Sequence, residues 1–173
     1  MEPKQTQIKK LVLTALFVAI ATYGGSLFSF PIGIAKCAPV QSLVNVLSGI
    51  ILGPWWALGQ ALATSILRNL LGTGTVFAFP GSMIGAFLAG WLYQKFKKPV
   101  LAVLGEVVGT GLVGALVAVP LAMLLFGKGG LMLFIPSFSA SAVVGAALAY
   151  VSPWGSCVRL SPGNTTILLK TCT

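Results

Sequence analysis

Ionisable side chains are scarce in this chain. Its 173 residues include no histidine and only two acids, Glu2 and Glu106, and 8% of them are charged, against roughly 25% in a soluble domain. Without histidine there is no Ser-His-Asp triad and no histidine metal site, and one acid beyond the N-terminal tail cannot form a catalytic carboxylate pair. No G-x-x-x-x-G-K-[ST] phosphate loop is present. We therefore expect neither an enzyme nor a bound cofactor.

Cysteine is also rare. The three cysteines are odd in number and form no C-x-x-C pair, which argues against both a zinc site and a disulfide framework.

Apolar residues are correspondingly abundant. The chain is 57% hydrophobic with a mean hydropathy of +0.98, which predicts an integral protein of the plasma membrane. The net charge of +9 is typical of the cytoplasmic loops of such proteins. Nucleic-acid binding is not expected, because there is no soluble basic domain to hold a polynucleotide.

Short breaks of Gly, Pro or basic residues divide the chain into six apolar segments. We predict an all-α fold with six transmembrane helices, at about residues 8–28, 40–53, 55–71, 82–93, 100–126 and 131–151. Pro54 is expected to separate the second and third segments by a minimal turn, Pro99 to start the fifth segment and Pro120 to kink it. The second and fourth segments are shorter than the ~20 residues that cross a bilayer. Residues 1–152 would form one membrane domain that binds substrate, and residues 153–173 a cytoplasmic tail.

The distribution of basic residues predicts the topology. With the N-terminus in the cytoplasm, eight Lys and Arg residues fall inside and only Lys36 and Lys128 fall outside. Because cytoplasmic loops carry the excess of basic residues, both termini are predicted to be cytoplasmic. The longer loops, 29–39, 72–81 and 127–136, then lie on the outer face, where binding groups are expected.

Two charged residues within the spans are candidate binding groups. A basic side chain inside a span costs about 2.5–3.5 kcal/mol on insertion scales, so Arg68, followed by Asn69, is a candidate for binding or for snorkelling to the outer interface. Glu106 is the only acid of the membrane part. By helix rise it lies about 11 Å deeper than Arg68, which is wide for an ion pair. It is a candidate for contacting substrate directly or through a partner, or for a structural role.

Uncharged polar and aromatic residues lie near the predicted outer ends of the spans. A mostly apolar pocket with a few polar groups is how small-molecule sites are built, and aromatic faces suit a flat heterocycle. Phe77 and Phe79 are predicted to stack on the ligand. The polar candidates, besides Arg68, Asn69 and Glu106, are Gln41, Asn45, Thr73, Thr110 and Ser137.

Ala15 and Ala19 form a smooth stripe on the otherwise bulky first helix. The stripe fits either internal packing or docking of another membrane subunit.

Three segments resemble one transporter family. These are F-P-I-G-I-A-K-C-A-P-V-Q with S-L-V-N-V, then I-L-R-N-L-L-G-T-G-T-V-F-A-F-P-G-S-M-I-G-A, then L-G-E-V-V-G-T-G. With the size and the six spans, they resemble the substrate-binding (S) components of energy-coupling factor (ECF) transporters, and within these the ThiW subfamily, over roughly residues 9–151. The tail is not covered.

The resemblance implies a function that composition alone does not give. ThiW proteins are assigned as importers of the thiazole precursor of thiamine. The family's partners are a transmembrane coupling subunit, EcfT, and two cytoplasmic ATPases. Its alanine motif falls on Ala15 and Ala19, which would face EcfT, and its mechanism is toppling of the S component in the membrane.

The expected function is therefore capture of a small heterocycle from outside, in a pocket covered by the first and third loops of the chain. A rival class is a proton-coupled carrier with Glu106 as its titrating group. A third is an assembly subunit that binds no ligand.

Overall fold

A computed structural model describes residues 4–32, 35–126 and 131–151. The predicted tail, 153–173, and Lys128 of the third loop lie outside these residues. The described part contains six helical rods: α1 (Lys4–Leu27), α2 (Pro39–Leu52), α3 (Pro54–Leu70), α4 (Ala78–Phe96), a fifth rod made of α5 (Pro99–Glu106), a π-helical segment (Val107–Val113) and α6 (Gly114–Phe126), and α7 (Leu131–Val151). The predicted helical architecture is confirmed.

Proline sets several helix boundaries. Pro99 occupies the first turn of a helix, as predicted, and Pro54, which was predicted to separate two segments, also begins a helix; the missing N–H costs nothing at either position. The prediction of a short fourth segment was wrong, because α4 has 19 residues. Its first turn includes Pro80, and it ends only at Phe96, before Lys97 in the left-handed conformation at φ 55°. Helix α2 has 14 residues and is short, as predicted.

The first long loop contains a small β-hairpin that the all-α prediction missed. Strands β1 (Phe30–Ile32) and β2 (Ala35–Cys37) pair antiparallel, with Phe30 opposite Cys37. Three-residue strands that contain a proline carry almost no periodic signal in the sequence. The hairpin and the loop 71–77 lie at the same end of the helix bundle, joined by a 3.0 Å hydrogen bond from Lys36 Nζ to the carbonyl of Gly72.

The fifth rod is irregular upstream of the place where a kink was predicted. The chain stays α-helical through Pro120, and the irregularity is the π-helical segment, in which the Gly114 N–H donates to the carbonyl of Gly109. One face of this rod packs closely on α4. A Cβ added at Gly109 would lie 2.6 Å from Gly85 Cα, and one added at Gly114 would overlap Gly81. Small residues let helix backbones approach in this way.

Polarity in the described part is reversed relative to a soluble protein. The largest fully buried side chains include Gln60, Glu106, Asn45 and Thr64, whereas large apolar side chains such as Leu124 are exposed. An exposed apolar surface of this extent is typical of a protein that contacts the lipid of a membrane. Two stretches, Lys4–Leu27 and Pro99–Leu121, are long and apolar enough to cross a bilayer by length and composition. The chain is a membrane protein.

Candidate substrate-binding site

Two adjoining cavities open at the bundle end that carries the hairpin and the loop 71–77. The main cavity has a volume of about 30 Å³, room for about two waters. The side cavity measures about 10 Å³. Both border Lys36, Gln41, Arg68 and Ala78. The other residues around the main cavity are Ala38, Ser42, Asn45, Ser82, Thr110, Phe138 and Ser141.

Arg68 lies in the last turn of α3 and is 3% exposed. Its Nη2 donates to the carbonyls of Gly25 at 3.1 Å and of Thr73 at 3.3 Å, and its Nη1 donates to Gln41 Oε1. The guanidinium therefore ties α1, α2 and the loop 71–77 together. Its Nε is buried and has no hydrogen-bond partner among the described residues.

Asn69 borders only the side cavity. Its Nδ2 donates to the carbonyls of Ser65 at 2.9 Å and Thr75 at 3.4 Å, which secures the end of α3 to the loop 71–77. The Thr73 hydroxyl lies 3.0 Å from Ser26 Oγ and borders neither cavity. Asn69 and Thr73 thus shape the loop in this structure.

Glu106 is fully buried behind the main cavity and does not border it. Its Oε1 accepts from Asn45 Nδ2 at 3.1 Å and lies 3.0 Å from the hydroxyl oxygen of Thr110. Its Oε2 packs against Gly85 and has no hydrogen-bond partner in the described part of the chain. Glu106 therefore reaches the cavity through Asn45 and Thr110, and its hydrogen bonds go to these two residues rather than to Arg68.

The polar walls of the cavities are linked across helices. Gln41 Nε2 donates to Ser65 Oγ at 3.4 Å, and Ser65 Oγ lies 2.9 Å from Ser82 Oγ. The backbone N–H of Ala38, just after the hairpin, donates to Ser141 Oγ of α7 at 3.1 Å. Side chains from four helices are thereby fixed around one space.

The predicted aromatic residues lie elsewhere. Phe77 is buried in a cluster with Ala115, Ala118 and Phe138, and Phe79 is half-buried in the first turn of α4. Neither borders the main or the side cavity, whereas Phe138 borders the main one. Ser137 lies in α7, and its side chain is outside what the structure describes.

Sequence reasoning missed several cavity residues, of which Lys36 is the charged one, and a buried string of hydrogen-bonded side chains. Lys36 borders both cavities. It was one of only two basic residues placed on the outer side against the charge bias, and that exception was a usable signal. Ser48 Oγ donates to Gln60 Oε1 at 3.1 Å and Gln60 Nε2 to Thr64 Oγ1 at 3.0 Å. A glutamine inside a span was the corresponding signal.

The alanine stripe of α1 is exposed. Ala15 and Ala19 both face away from the bundle, beside exposed Leu16 and Ile20. The stripe is therefore not used for packing within the described part of the chain.

The apolar surface around buried polar side chains is that of a membrane protein, and the two cavities are its candidate site for a small molecule. Residues 11–153 match the family described as thiamine-precursor transporter protein (ThiW), and the chain belongs to this family. A transporter family agrees with the scarcity of catalytic groups in the sequence. Comparison with curated proteins and with solved structures gave no match.

Proposed function

We propose that this chain is the substrate-capture subunit of an energy-coupling factor importer, and that it binds the thiazole precursor of thiamine from outside the cell. EcfT and two cytoplasmic ATPases would be its partners, and toppling of the loaded subunit would deliver the ligand. The supply of energy by partners is consistent with the lack of a nucleotide-binding loop in the sequence.

The observation that carries the proposal is the set of polar and aromatic groups around the main cavity, which at about 30 Å³ is smaller than the ligand and must widen when the ligand binds. Arg68, Asn45 and Thr110 supply donors and acceptors, and Phe138 supplies an aromatic wall. A few polar groups converging in an apolar surrounding is the chemistry that a small heterocyclic alcohol requires. Family membership supports the thiamine-precursor class of ligand.

A thermal-shift screen of the purified chain against thiamine, its thiazole and its pyrimidine tests the ligand. Bound ligand stabilises in proportion to ln(1 + [L]/Kd), without partners or ATP. We expect a shift with the thiazole, and no shift with it would refute the substrate. Growth on limiting thiazole distinguishes substrate capture from the alternative of an assembly subunit that binds no ligand. The alternative predicts that Arg68→Ala and Asn69→Ala lower protein abundance without changing this growth.

We further propose six membrane spans with both termini in the cytoplasm, on the basis of the charge distribution. In a chain whose cysteines are replaced by serine, Val76→Cys tests one end of α4 and Gln94→Cys the other. Both positions are exposed. A membrane-impermeant maleimide applied to intact cells should label Val76→Cys and not Gln94→Cys. The opposite pattern would refute both the orientation and capture from outside.

The docking face proposed for EcfT is the exposed stripe of Ala15 and Ala19. Changing either residue to leucine should prevent co-purification with the coupling subunit while leaving thiazole binding intact. Ala147→Leu is the matched control, because Ala147 is an exposed helical alanine on α7. Equal loss in all three variants, or loss in none, would contradict docking through this stripe.

A proton-coupled carrier is the second candidate, favoured by one observation. Glu106 is fully buried and has one carboxyl oxygen without a hydrogen-bond partner in the described part, as a proton-binding group of a carrier would. Glu106→Gln retains the side-chain shape and one acceptor oxygen. Capture predicts tight binding without a gradient and uptake by this variant that survives collapse of the proton gradient. Strict gradient dependence, abolished in Glu106→Gln, would favour the carrier.

A further inference from the structure

Two unsatisfied polar atoms belong to residues that border the main cavity. Arg68 Nε is a donor without a partner in the described part of the chain, and Asn45 Oδ1 is an acceptor without one. The two side chains are 3% and 1% exposed. Buried polar atoms are satisfied in the great majority of cases. This donor and this acceptor belong to two residues of one cavity wall, and a bound molecule that carries the complementary acceptor and donor would satisfy both.

The other polar atoms of the same two side chains are occupied. Asn45 Nδ2 donates to Glu106 Oε1 at 3.1 Å and lies 3.4 Å from the carbonyl of Ser82, so the amide is held with its oxygen free. Arg68 is held by Gln41, Gly25 and Thr73 through its terminal nitrogens. Both side chains are thus fixed before a ligand binds, which lowers the entropy cost of binding.

We propose that the site binds its ligand in one orientation, with a hydrogen-bond acceptor on Arg68 Nε and a hydroxyl donor on Asn45 Oδ1. This inference rests on the proposed function and deepens it. In a hydroxyethylthiazole the ring nitrogen accepts and does not donate, and the hydroxyl is the only donor. The hydroxyl therefore lies at Asn45 and the ring nitrogen at Arg68. Glu106 acts as a positioning residue that keeps the Asn45 oxygen turned outward.

The same polarity discriminates against the phosphate ester of the alcohol. The dianion has no donor for Asn45 Oδ1, and it would place oxygen acceptors against that oxygen. An unpaired buried acceptor and a facing acceptor both weaken binding. The free alcohol is therefore the preferred form, despite the two cationic side chains, Lys36 and Arg68, beside the cavity.

Isothermal titration of the full-length protein tests the orientation with four probes. These are 5-(2-hydroxyethyl)-4-methylthiazole, its methyl ether, the corresponding thiophene alcohol and the phosphate monoester. The ether lacks the donor and the thiophene lacks the ring nitrogen. We expect each of the three analogues to bind about tenfold to a hundredfold more weakly than the alcohol, since each leaves one buried polar atom unpaired. An ether, thiophene or phosphate that binds as tightly as the alcohol would overturn the inference.

Two variants locate each contact. Arg68→Lys keeps the positive charge and removes Nε, so it should bind thiazole and thiophene alcohols equally while still distinguishing alcohol from ether. Asn45→Ala should bind the alcohol and its methyl ether equally while still distinguishing the thiazole from the thiophene. A merely structural role would weaken all probes by the same factor, and that result would refute the assignment. If Asn45→Ala fails to fold, Arg68→Lys and the probe series on the unaltered protein still test the orientation.

Failure of every probe to bind would refute the proposed function as well, whereas tight binding of all probes with equal affinity would refute only the orientation.

Discussion

Gly85 is a position at which one added methyl group should disturb both the packing of α4 and the polar side chains behind the main cavity. It lies in α4 against the π-helical segment. A Cβ added there would lie 2.6 Å from Glu106 Oε2 and would overlap Thr110 Oγ1. Real Cβ atoms do not approach so closely, and Glu106 is held by a hydrogen bond from Asn45 and lies at hydrogen-bond distance from Thr110. Gly85→Ala must therefore either separate the two helices or displace the carboxyl group.

The cost follows from these contacts. Overpacking of a close-packed interior costs about 1–3 kcal/mol, and loss of one hydrogen bond of the Asn45–Glu106–Thr110 group adds about 1 kcal/mol. The free energy of unfolding should therefore fall by about 2–4 kcal/mol. For a chain of this size, that lowers Tm by about 4–16 °C. Thiazole binding should weaken too, because Glu106 positions the Asn45 amide.

Thermal unfolding of the purified protein in one detergent measures the effect. Gly59→Ala is the matched control, because Gly59 is also helical and exposed, and an added Cβ would have no atom within 4 Å. The control should raise stability by about 0.5–1 kcal/mol, since alanine favours a helix more than glycine does. A Gly85→Ala protein as stable as the unaltered chain would refute the close approach of α4 and the π-helical segment.

Three further predictions concern the buried string, the loops and the thiol. Gln60→Leu removes the bonds to Thr64 and Ser48, of which Ser48 keeps the carbonyl of Asn45 as an acceptor. It should lower the free energy of unfolding by about 1–3 kcal/mol with little change in Kd by titration; unchanged stability would contradict the string. Lys36→Met removes the bond to Gly72, and stopped-flow measurements should show ligand dissociation about two- to tenfold faster; an unchanged rate would show that this bond does not hold the loops over the site. Burial raises the pKa of the Cys37 thiol, although a hydrogen bond with Ser141 opposes it. In a chain with Cys157→Ser and Cys172→Ser, the thiolate fraction of Cys37 is therefore lower at each pH than that of an exposed thiol. As the pH is raised, its alkylation rate should keep rising beyond the pH at which the rate of an exposed thiol levels off. A profile matching an exposed thiol would refute burial of Cys37.

Helix boundaries were readable from the sequence wherever one residue decides them locally. Pro54 and Pro99 begin helices because proline fits the first turn and little else in a helix. The same reasoning misplaced the start of α4, since Pro80 was treated as ending a loop although it lies in the first helical turn. The π-helical segment was beyond prediction. No residue type in the sequence marks such a segment, and its register depends on the contacts of Gly109 and Gly114 with α4.

The types of residue at the site could be predicted from the sequence, but which of them border the cavity and which lie behind it could not. A charge within an apolar span is costly, and this drew attention to Arg68 and Glu106. Which of them borders the cavity depends on helix rotation and depth. The structure puts Arg68 at the wall and Glu106 behind Asn45. Aromatic candidates were harder, because Phe77, Phe79 and Phe138 are equivalent in sequence and only α7 brings Phe138 to the main cavity.

The glycine contacts and the polar site depend on the same irregularity. On α4 the contacting glycines are Gly81 and Gly85, four residues apart, whereas on the fifth rod they are Gly109 and Gly114, five apart. An α-helix repeats every 3.6 residues, so a five-residue step would turn Gly114 away from α4. The i→i+5 hydrogen bond of the π-helical segment closes a wider turn that contains the extra residue, and this keeps Gly114 against Gly81. The close approach of α4 then brings the Thr110 hydroxyl to 3.1 Å from the carbonyl of Gly81 and 3.0 Å from Glu106. Since a hydroxyl has one proton, it donates to one of these oxygens at a time. The segment therefore sets both the contact between the helices and the arrangement of acceptors behind the cavity.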